Sequence, residues 1–439
     1  MEKQPNILLI MTDQQQAAAL SCSGNPEIKT PAMDSIAEQG TRCSDAYTTF
    51  PLCVPARSSL FTGQMPSTIG SMYNGPGIPE DRVEHCLGNV FKNAGYTTAY
   101  AGKWHAPEIA MQPQYGFERI CGFDDTNVAN ACVEFLGRKQ HAPFFLVASF
   151  DNPHNICEHG RDQNLPWGPI PDCEPDQYPN LPPNFAIAPF EPDVVDICAR
   201  DMPRMAHRGR LTPERWRKYR HAYFRLVEKV DSEIGRILDA LRKNRLADDA
   251  LVIFTSDHGE HAGAHQLGQK TFLYEEAVRV PFLMCWPGRI PAGAVRSELV
   301  SVGLDVYPTL CQTCGIEPPT ECPGLNLMNL FQDQAECEWR DQVVTQTTLR
   351  QCSEPNRARG RMLRTERYKY ILYDWGEYRE QLFDLRADPG EMVNLAVEAR
   401  YAKPLQDHRD RLHAWMLEHG DTVASGGRVK PVTGVPYSS

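Results

Sequence analysis

The stretch Asn6-Ile7-Leu8-Leu9-Ile10-Met11-Thr12-Asp13-Gln14-Gln15 decides the fold class. Its apolar part is continuous, with no polar alternation, as expected of a strand covered on both faces of a parallel sheet. Its polar end puts a carboxylate and two amides at the C-terminal edge of that strand, where open α/β sheets bind ligands. Residues 144–150, 251–255 and 280–286 are further runs of the same kind. Helical patterns lie between them, which predicts parallel βαβ units. Thr30-Pro31 reads as an N-cap followed by proline at the first helical position, and Gly40 closes that helix. The longest predicted helix starts at Thr212-Pro213 and runs to about Asn244. Trp216, Tyr219, Tyr223, Val227, Val230, Ile234, Ile237 and Leu241 form its single apolar stripe.

Between residues 151 and 210 lies a proline-rich stretch with little periodicity. A long irregular segment inside a compact domain is usually functional, and here it is expected to wall a substrate pocket. The pattern changes after about Ala335. Short β-like pieces at 342–347, 368–373 and 381–385 precede a helix at 401–418 and a Gly/Ser/Pro-containing tail. This predicts a large α/β domain over 1–335 and a small α+β subdomain with an antiparallel sheet over 336–439.

The 439 residues carry 45 Lys and Arg against 56 Asp and Glu, a formal net charge of −11. That balance argues against nucleic acid or an anionic membrane as the main partner. There is no apolar run of about 18 residues, so no transmembrane helix is expected. The apolar stretch at 6–11 is too short for a signal peptide, which points to a cytoplasmic protein. Fifteen cysteines scattered along the chain read as free, mostly buried thiols.

Three segments carry the chemistry. Asp13-Gln14 offers hard oxygen ligands at the first strand end. Ser256-Asp257-His258-Gly259-Glu260 has the same placement after the strand 251–255, with Asp257 and His258 as candidate metal ligands. The third is Cys53-Val54-Pro55-Ala56-Arg57, continuing Ser58-Ser59-Leu60-Phe61-Thr62-Gly63. This pattern, Cys-x-Pro-Ala-Arg with Thr-Gly following the arginine, resembles the signature of formylglycine-dependent (type I) sulfatases. Gly102-Lys103-Trp104-His105, Asn152-Pro153-His154, Lys270 with Tyr274-Glu275-Glu276, and Asp388-Pro389-Gly390-Glu391 resemble further blocks of that family, in the expected order.

The resemblance implies an alkaline-phosphatase-like α/β sandwich with a large mixed, mostly parallel sheet. It implies hydrolysis of a sulfate monoester of a sulfated glycan, aryl alcohol or steroid. It implies that Cys53 is matured to formylglycine by a formylglycine-generating or radical maturase. One hydroxyl of the hydrate would attack sulfur, and His105 would deprotonate the other to expel sulfate. Asp13, Gln14, Asp257, His258 and residue 53 would hold a divalent cation. Arg57 would hold the nucleophile and a ligand carboxylate. Lys103 and Lys270 would bind sulfate oxygens. His154, alone or with Lys270, would protonate the leaving alcohol.

Many members carry two aspartates where this chain has Asp13-Gln14, and Asp-Asn where it has Asp257-His258. The Gln and His forms are similar to choline-sulfatase-like and phosphonate monoester hydrolase-like enzymes. That keeps phosphonate or phosphate ester hydrolysis as the alternative activity. It also leaves Ca²⁺, the family default, beside Mn²⁺ and Mg²⁺ as the cation. His261, His265, His159, Arg161, Trp167 and the segment 364–375 are candidates for the pocket or its rim.

Overall fold

The computed structural model describes residues 4–106, 113–318, 322–331, 338–353, 356–421 and 423. The domain boundary expected at 335/336 and the tail beyond residue 423 lie outside the described residues. The strands are β1 Asn6–Asp13, β2 Thr41–Cys43, β3 Ala46–Tyr47, β4 Thr97–Gly102, β5 Glu118–Cys121, β6 Phe144–Pro153 and β7 Ala250–Ser256. Then follow β8 Phe282–Cys285, β9 Ala294–Arg296, β10 Val300–Ser301, β11 Gln342–Thr348, β12 Arg359–Thr365, β13 Tyr368–Tyr373 and β14 Glu380–Asp384.

Eight strands make one sheet in the order β5-β4-β6-β1-β7-β8-β2-β9. β1 lies inside it, parallel to β6 (Ile7 beside Phe145) and to β7 (Asn6 beside Ala250). β4 continues the parallel set beside β6. The expected apolar runs are therefore neighbouring central strands. Side chains alternate between the faces with period two. Leu8 and Ile10 join one core with the long helix Pro213–Lys243. Ile7, Leu9 and Met11 join the opposite core with Leu60, Phe61, Tyr100 and Trp104.

β8 departs from the parallel expectation: it runs antiparallel to β7 and to β2. An apolar run does not encode strand direction. Parallel neighbours need a crossover connection, and between β7 and β8 the only α-helix is the four-residue Glu275–Val278.

Thr212 caps the long helix as expected, its Oγ1 accepting the Arg215 N–H at 3.3 Å. Thr30 does not cap helix Pro31–Gln39 with its side chain. Its hydroxyl is engaged by the Ser21 N–H (2.9 Å) and by Asp34 (3.1 Å). The free N–H groups of Ala32 and Met33 are taken instead by Asp231 of the long helix, at 3.1 and 2.8 Å. A carboxylate at a helix N-terminus is favourable both as acceptor and as charge.

The second sheet is the antiparallel meander β11-β12-β13-β14. Helix Ala402–Glu418 covers one face, where Leu405, Leu412 and Met416 meet Leu363, Tyr370 and Leu382. The other face packs Met362, Ile371 and Phe383 against Leu273 and Tyr274 of the main body. β12 has no apolar signature, because Arg359, Arg361 and Arg364 interrupt it. Arg361 is nevertheless buried, forked onto Asp421 at 2.6 and 2.8 Å.

Among the described residues no helix is long and apolar enough to cross a membrane. All fourteen described cysteines are free thiols and ten are buried, consistent with their reading as core residues.

Asp231→Ala removes the acceptor of two helix N–H groups, one part-buried and one buried. The unfolding free energy is expected to fall by about 1–2 kcal/mol, read from the midpoint of a urea titration.

Candidate active site

Four neighbouring parallel strands deliver the chemistry-bearing residues at their C-terminal ends. β1 ends on Asp13, and Gln14 follows in the left-handed region at φ 73°. β7 leads into Asp257 and His258, and the end of β6 carries Asp151 and leads into His154. β4 ends on Gly102, whose φ is 98° and where a Cβ would lie 2.0 Å from the Ser149 carbonyl oxygen. Only glycine permits this approach, which lets the Lys103 N–H donate to that oxygen at 2.9 Å. Facing these ends is helix Cys53–Thr62, buried over its whole length and closed by Gly63 at φ 67°. Cys53 is its first residue, so its sulfur sits at the positive end of the helix.

Arg57, one turn along, ties the strand ends together. Its Nε donates to Asp257 at 2.7 Å and its Nη2 to Asp13 at 3.3 Å. Its Nη1 donates to the Lys103 carbonyl and to Ser149 Oγ, both at 2.9 Å. Lys103 Nζ lies 2.7 Å from Asp13 and 2.8 Å from Asp151. Lys270 Nζ donates to Gln14 Oε1 at 2.6 Å and to Cys53 Sγ at 3.4 Å. His258 Nε2 is 3.3 Å from that sulfur, and its Nδ1 is 3.0 Å from the Gly259 carbonyl oxygen.

Burial alone raises the Asp13 pKa, but the Lys103 and Lys270 ammonium groups outweigh it and hold the carboxyl well below its usual range. Asp257 is pushed up to about 6 by burial and by Asp13, against the opposing pull of His258 and Arg57. Burial and Asp13 push the Cys53 thiol up, while Lys270, Lys103 and His258 carry it well below the ordinary thiol value. Burial lowers the Lys103 and Lys270 pKa values, but the acids beside them leave both raised. His154 is held well below the usual imidazole value by burial and by Lys270 and Lys103.

Asp13, Cys53, Asp257 and His258 each offer a ligand atom, and these atoms lie within 4.8 Å of one another. His258 Nε2 stands 3.6 Å from an oxygen of Asp13 and 3.6 Å from one of Asp257. That is too long for a hydrogen bond. It is the spacing of ligand atoms around a shared cation with bonds of roughly 2.0–2.6 Å. Gln14 Oε1 reaches the same group through Lys270, which stands 3.9 Å from Asp13. The donor set fits a divalent cation.

Beside Cys53 opens a cavity of about 300 Å³, also lined by Lys103, His105, Asp151 and His154. The residues expected to act together thus converge at one place. His105 has its Nδ1 buried without a hydrogen-bond partner. The rest of the lining combines Phe123, Pro166 and Trp167 with Asn74, Asp124, Thr126, Asn155 and Glu158. Only the first part of the 151–210 stretch therefore walls the cavity. His159 and Arg161 are not among the lining residues, nor is any residue of 364–375. His261 and His265 reach neither the cavity nor the surface: both are buried, and His265 stacks on Tyr274 with ring centroids 3.9 Å apart. Asp151, Ser149 and Glu260 were assigned no role from the sequence; only Glu260 had a signal, its place three residues after Asp257.

A family model described as Sulfatase matches residues 5–316, and one described as N-sulphoglucosamine sulphohydrolase, C-terminal, matches 263–417. The chain is 28% identical to a Delta 4,5-hexuronate-2-O-sulfatase of Bacteroides thetaiotaomicron, covering 97% of this chain and 91% of the relative. A solved 2-O GAG sulfatase superposes with a TM-score of 0.84 at 26% identity, covering 99% of this chain and 97% of the other. The phosphonate monoester hydrolase of Agrobacterium radiobacter superposes at 0.79 with 22% identity, covering 96% and 97%. At that identity the likeness is one of fold. The chain belongs to the sulfatase family and is a hydrolase of sulfuric esters.

Proposed function

We propose that this sulfatase hydrolyses a sulfate monoester of a carbohydrate at the cavity beside residue 53, with Cys53 matured to formylglycine and a divalent cation, calcium first, on Asp13, Gln14, Asp257 and His258. The observation that carries the reading is the position of Cys53 Sγ. It lies at a helix N-terminus, within 3.7 Å of Asp13, His258 and Lys270, and at the cavity wall. A carbohydrate fits this lining. Trp167 and Phe123 offer faces for a sugar ring, and Asn74, Asp124 and Glu158 offer partners for hydroxyls. Glu158 Oε2 is buried without a hydrogen-bond partner, which a sugar hydroxyl would supply and an apolar aryl or steroid body would not.

When bound, the hydrated aldehyde and the cation supply a nucleophilic hydroxyl and neutralise charge on the sulfate oxygens. Lys103 and Lys270 orient the sulfate as compact cations. His154 is neutral while two ammonium groups flank it. An anionic ester entering between them offsets their charge and restores its ability to hold a proton for the leaving alcohol. His105, with an unpartnered ring nitrogen at the cavity, takes the proton whose removal frees sulfate.

Protein co-expressed with a formylglycine-generating or radical maturase is expected to show formylglycine at residue 53 by peptide mass spectrometry and to release sulfate from sulfated sugars. Unmodified Cys53 in an active preparation would sink the reading. Cys53→Ala should abolish turnover with an unchanged circular dichroism spectrum. A higher kcat/KM for aryl phosphonates or phosphodiesters than for any sulfate ester would instead establish the alternative activity.

Arg57→Lys keeps the charge, but one ammonium cannot span the four acceptors of the guanidinium. The kcat/KM for sulfate ester is expected to fall about 100-fold or more, in a side-by-side kinetic assay.

Exhaustive chelation should remove activity. Ca²⁺ should restore it better than Mn²⁺ or Mg²⁺; activity that survives in demonstrably metal-free protein would exclude the cation.

A further inference from the structure

Glu260 is fully buried behind Gln14. Its Oε1 accepts the N–H groups of Ala262 (2.9 Å) and Gln269 (2.7 Å) and the Tyr219 hydroxyl (3.1 Å). Its Oε2 accepts Gln14 Nε2 at 2.6 Å. Every partner donates, which suits an acceptor-only carboxylate. Gln14 thus stands between an anion and a cation, since its Oε1 meets Lys270 Nζ at 2.6 Å. Turning the amide over would aim its oxygen at the Glu260 carboxylate and its NH₂ at the Lys270 ammonium. Both contacts would repel, so the neighbours choose one orientation. That orientation keeps Oε1 on the side of Lys270, the lysine 3.4 Å from Cys53 Sγ.

The surrounding loop is built to hold this arrangement. Ala262 and Gln269, whose N–H groups grip Glu260, have φ of 48° and 57° although neither is glycine. Such strain persists only where the surroundings enforce it. Lys270 directly follows Gln269, so one segment fixes both neighbours of the Gln14 amide.

We propose that Glu260 is a positioning residue of the cation site that acts through Gln14, an inference that rests on the cation site proposed above. It holds the amide oxygen, the only end able to ligate a hard cation, toward the site. Its charge also draws on the Gln14 N–H and shifts electron density onto Oε1, strengthening a neutral ligand. A carboxylate behind a metal-bound histidine acts by the same logic.

The test uses metal-free, full-length protein titrated calorimetrically with CaCl₂ and, separately, MnCl₂, so no substrate enters the readout. Glu260→Gln removes the charge and lets the amide turn over, and its cation affinity should fall about tenfold or more. In a Gln14→Asp background the ligand needs no orienting and Glu260 repels it. There Glu260→Gln should leave the affinity unchanged or tighten it. A purely structural role would weaken binding by a similar factor in both backgrounds, and that result overturns the proposal. Undiminished affinity in Glu260→Gln alone overturns it too. If the glutamine variant does not fold, Glu260→Asp, which keeps the charge but withdraws it from Gln14, must show the same dependence on background. A flat titration of the unmutated protein defeats the cation site itself, whereas sulfatase activity without loss of affinity in Glu260→Gln defeats only this role.

Discussion

The guanidinium of Arg57 is the point on which the site and its strands depend. It is fully buried, and its bonds run to Asp13 at the end of β1, to the Lys103 carbonyl after β4, to Ser149 within β6 and to Asp257 after β7. Burying such a cation costs several kcal/mol, and so does burying each carboxylate. Each makes the others' burial tolerable, so removing any one leaves an uncompensated charge. The helix that carries Arg57 also carries Cys53 at its start. The position of the sulfur relative to four strand ends is therefore set by one side chain rather than by loop packing.

Much of this was legible in the sequence, for identifiable reasons. β1, β6 and β7 are buried on both faces and so write themselves as unbroken apolar runs. Their polar ends then mark the functional edge of the sheet. β12 was not legible, because its buried arginines are neutralised by partners distant in sequence, Asp421 for Arg361 and Tyr47 with Asp45 for Arg364. The reversal of β8 was hidden because direction belongs to the connection. Thr30 looked like a complete cap, yet the acceptor came from Asp231 across a helix pair. Glu260 was visible as a residue, but its role needed the third dimension, since the amide it orients lies 246 positions away.

The net charge of −11 and an anionic substrate are compatible because they act over different ranges. At physiological ionic strength surface charges are screened beyond about 8 Å. Beside residue 53 buried charges are screened far less, and there Lys103 lines the cavity while Lys270 stands 3.4 Å from the Cys53 sulfur. The acids beside them do not cancel this. Asp13 and Asp257 are held by Arg57, and Asp151 also accepts from the Asn155 amide at 2.9 Å.

Donor counting separates the cations further. An ammonium has three N–H donors. Lys103 commits two, to Asp13 and Asp151, and its Nζ lies 5.7 Å from the centroid of the cavity-lining Phe123 ring. Lys270 commits two, to Gln14 and Cys53. Each therefore retains one donor that an anion can take without breaking an existing bond. Arg57, by contrast, spends donors on four acceptors and is enclosed on all sides. The arginine is thus suited to hold protein groups in place and the lysines to hold a ligand. That division supports the proposed holding of sulfate by Lys103 and Lys270 rather than by Arg57.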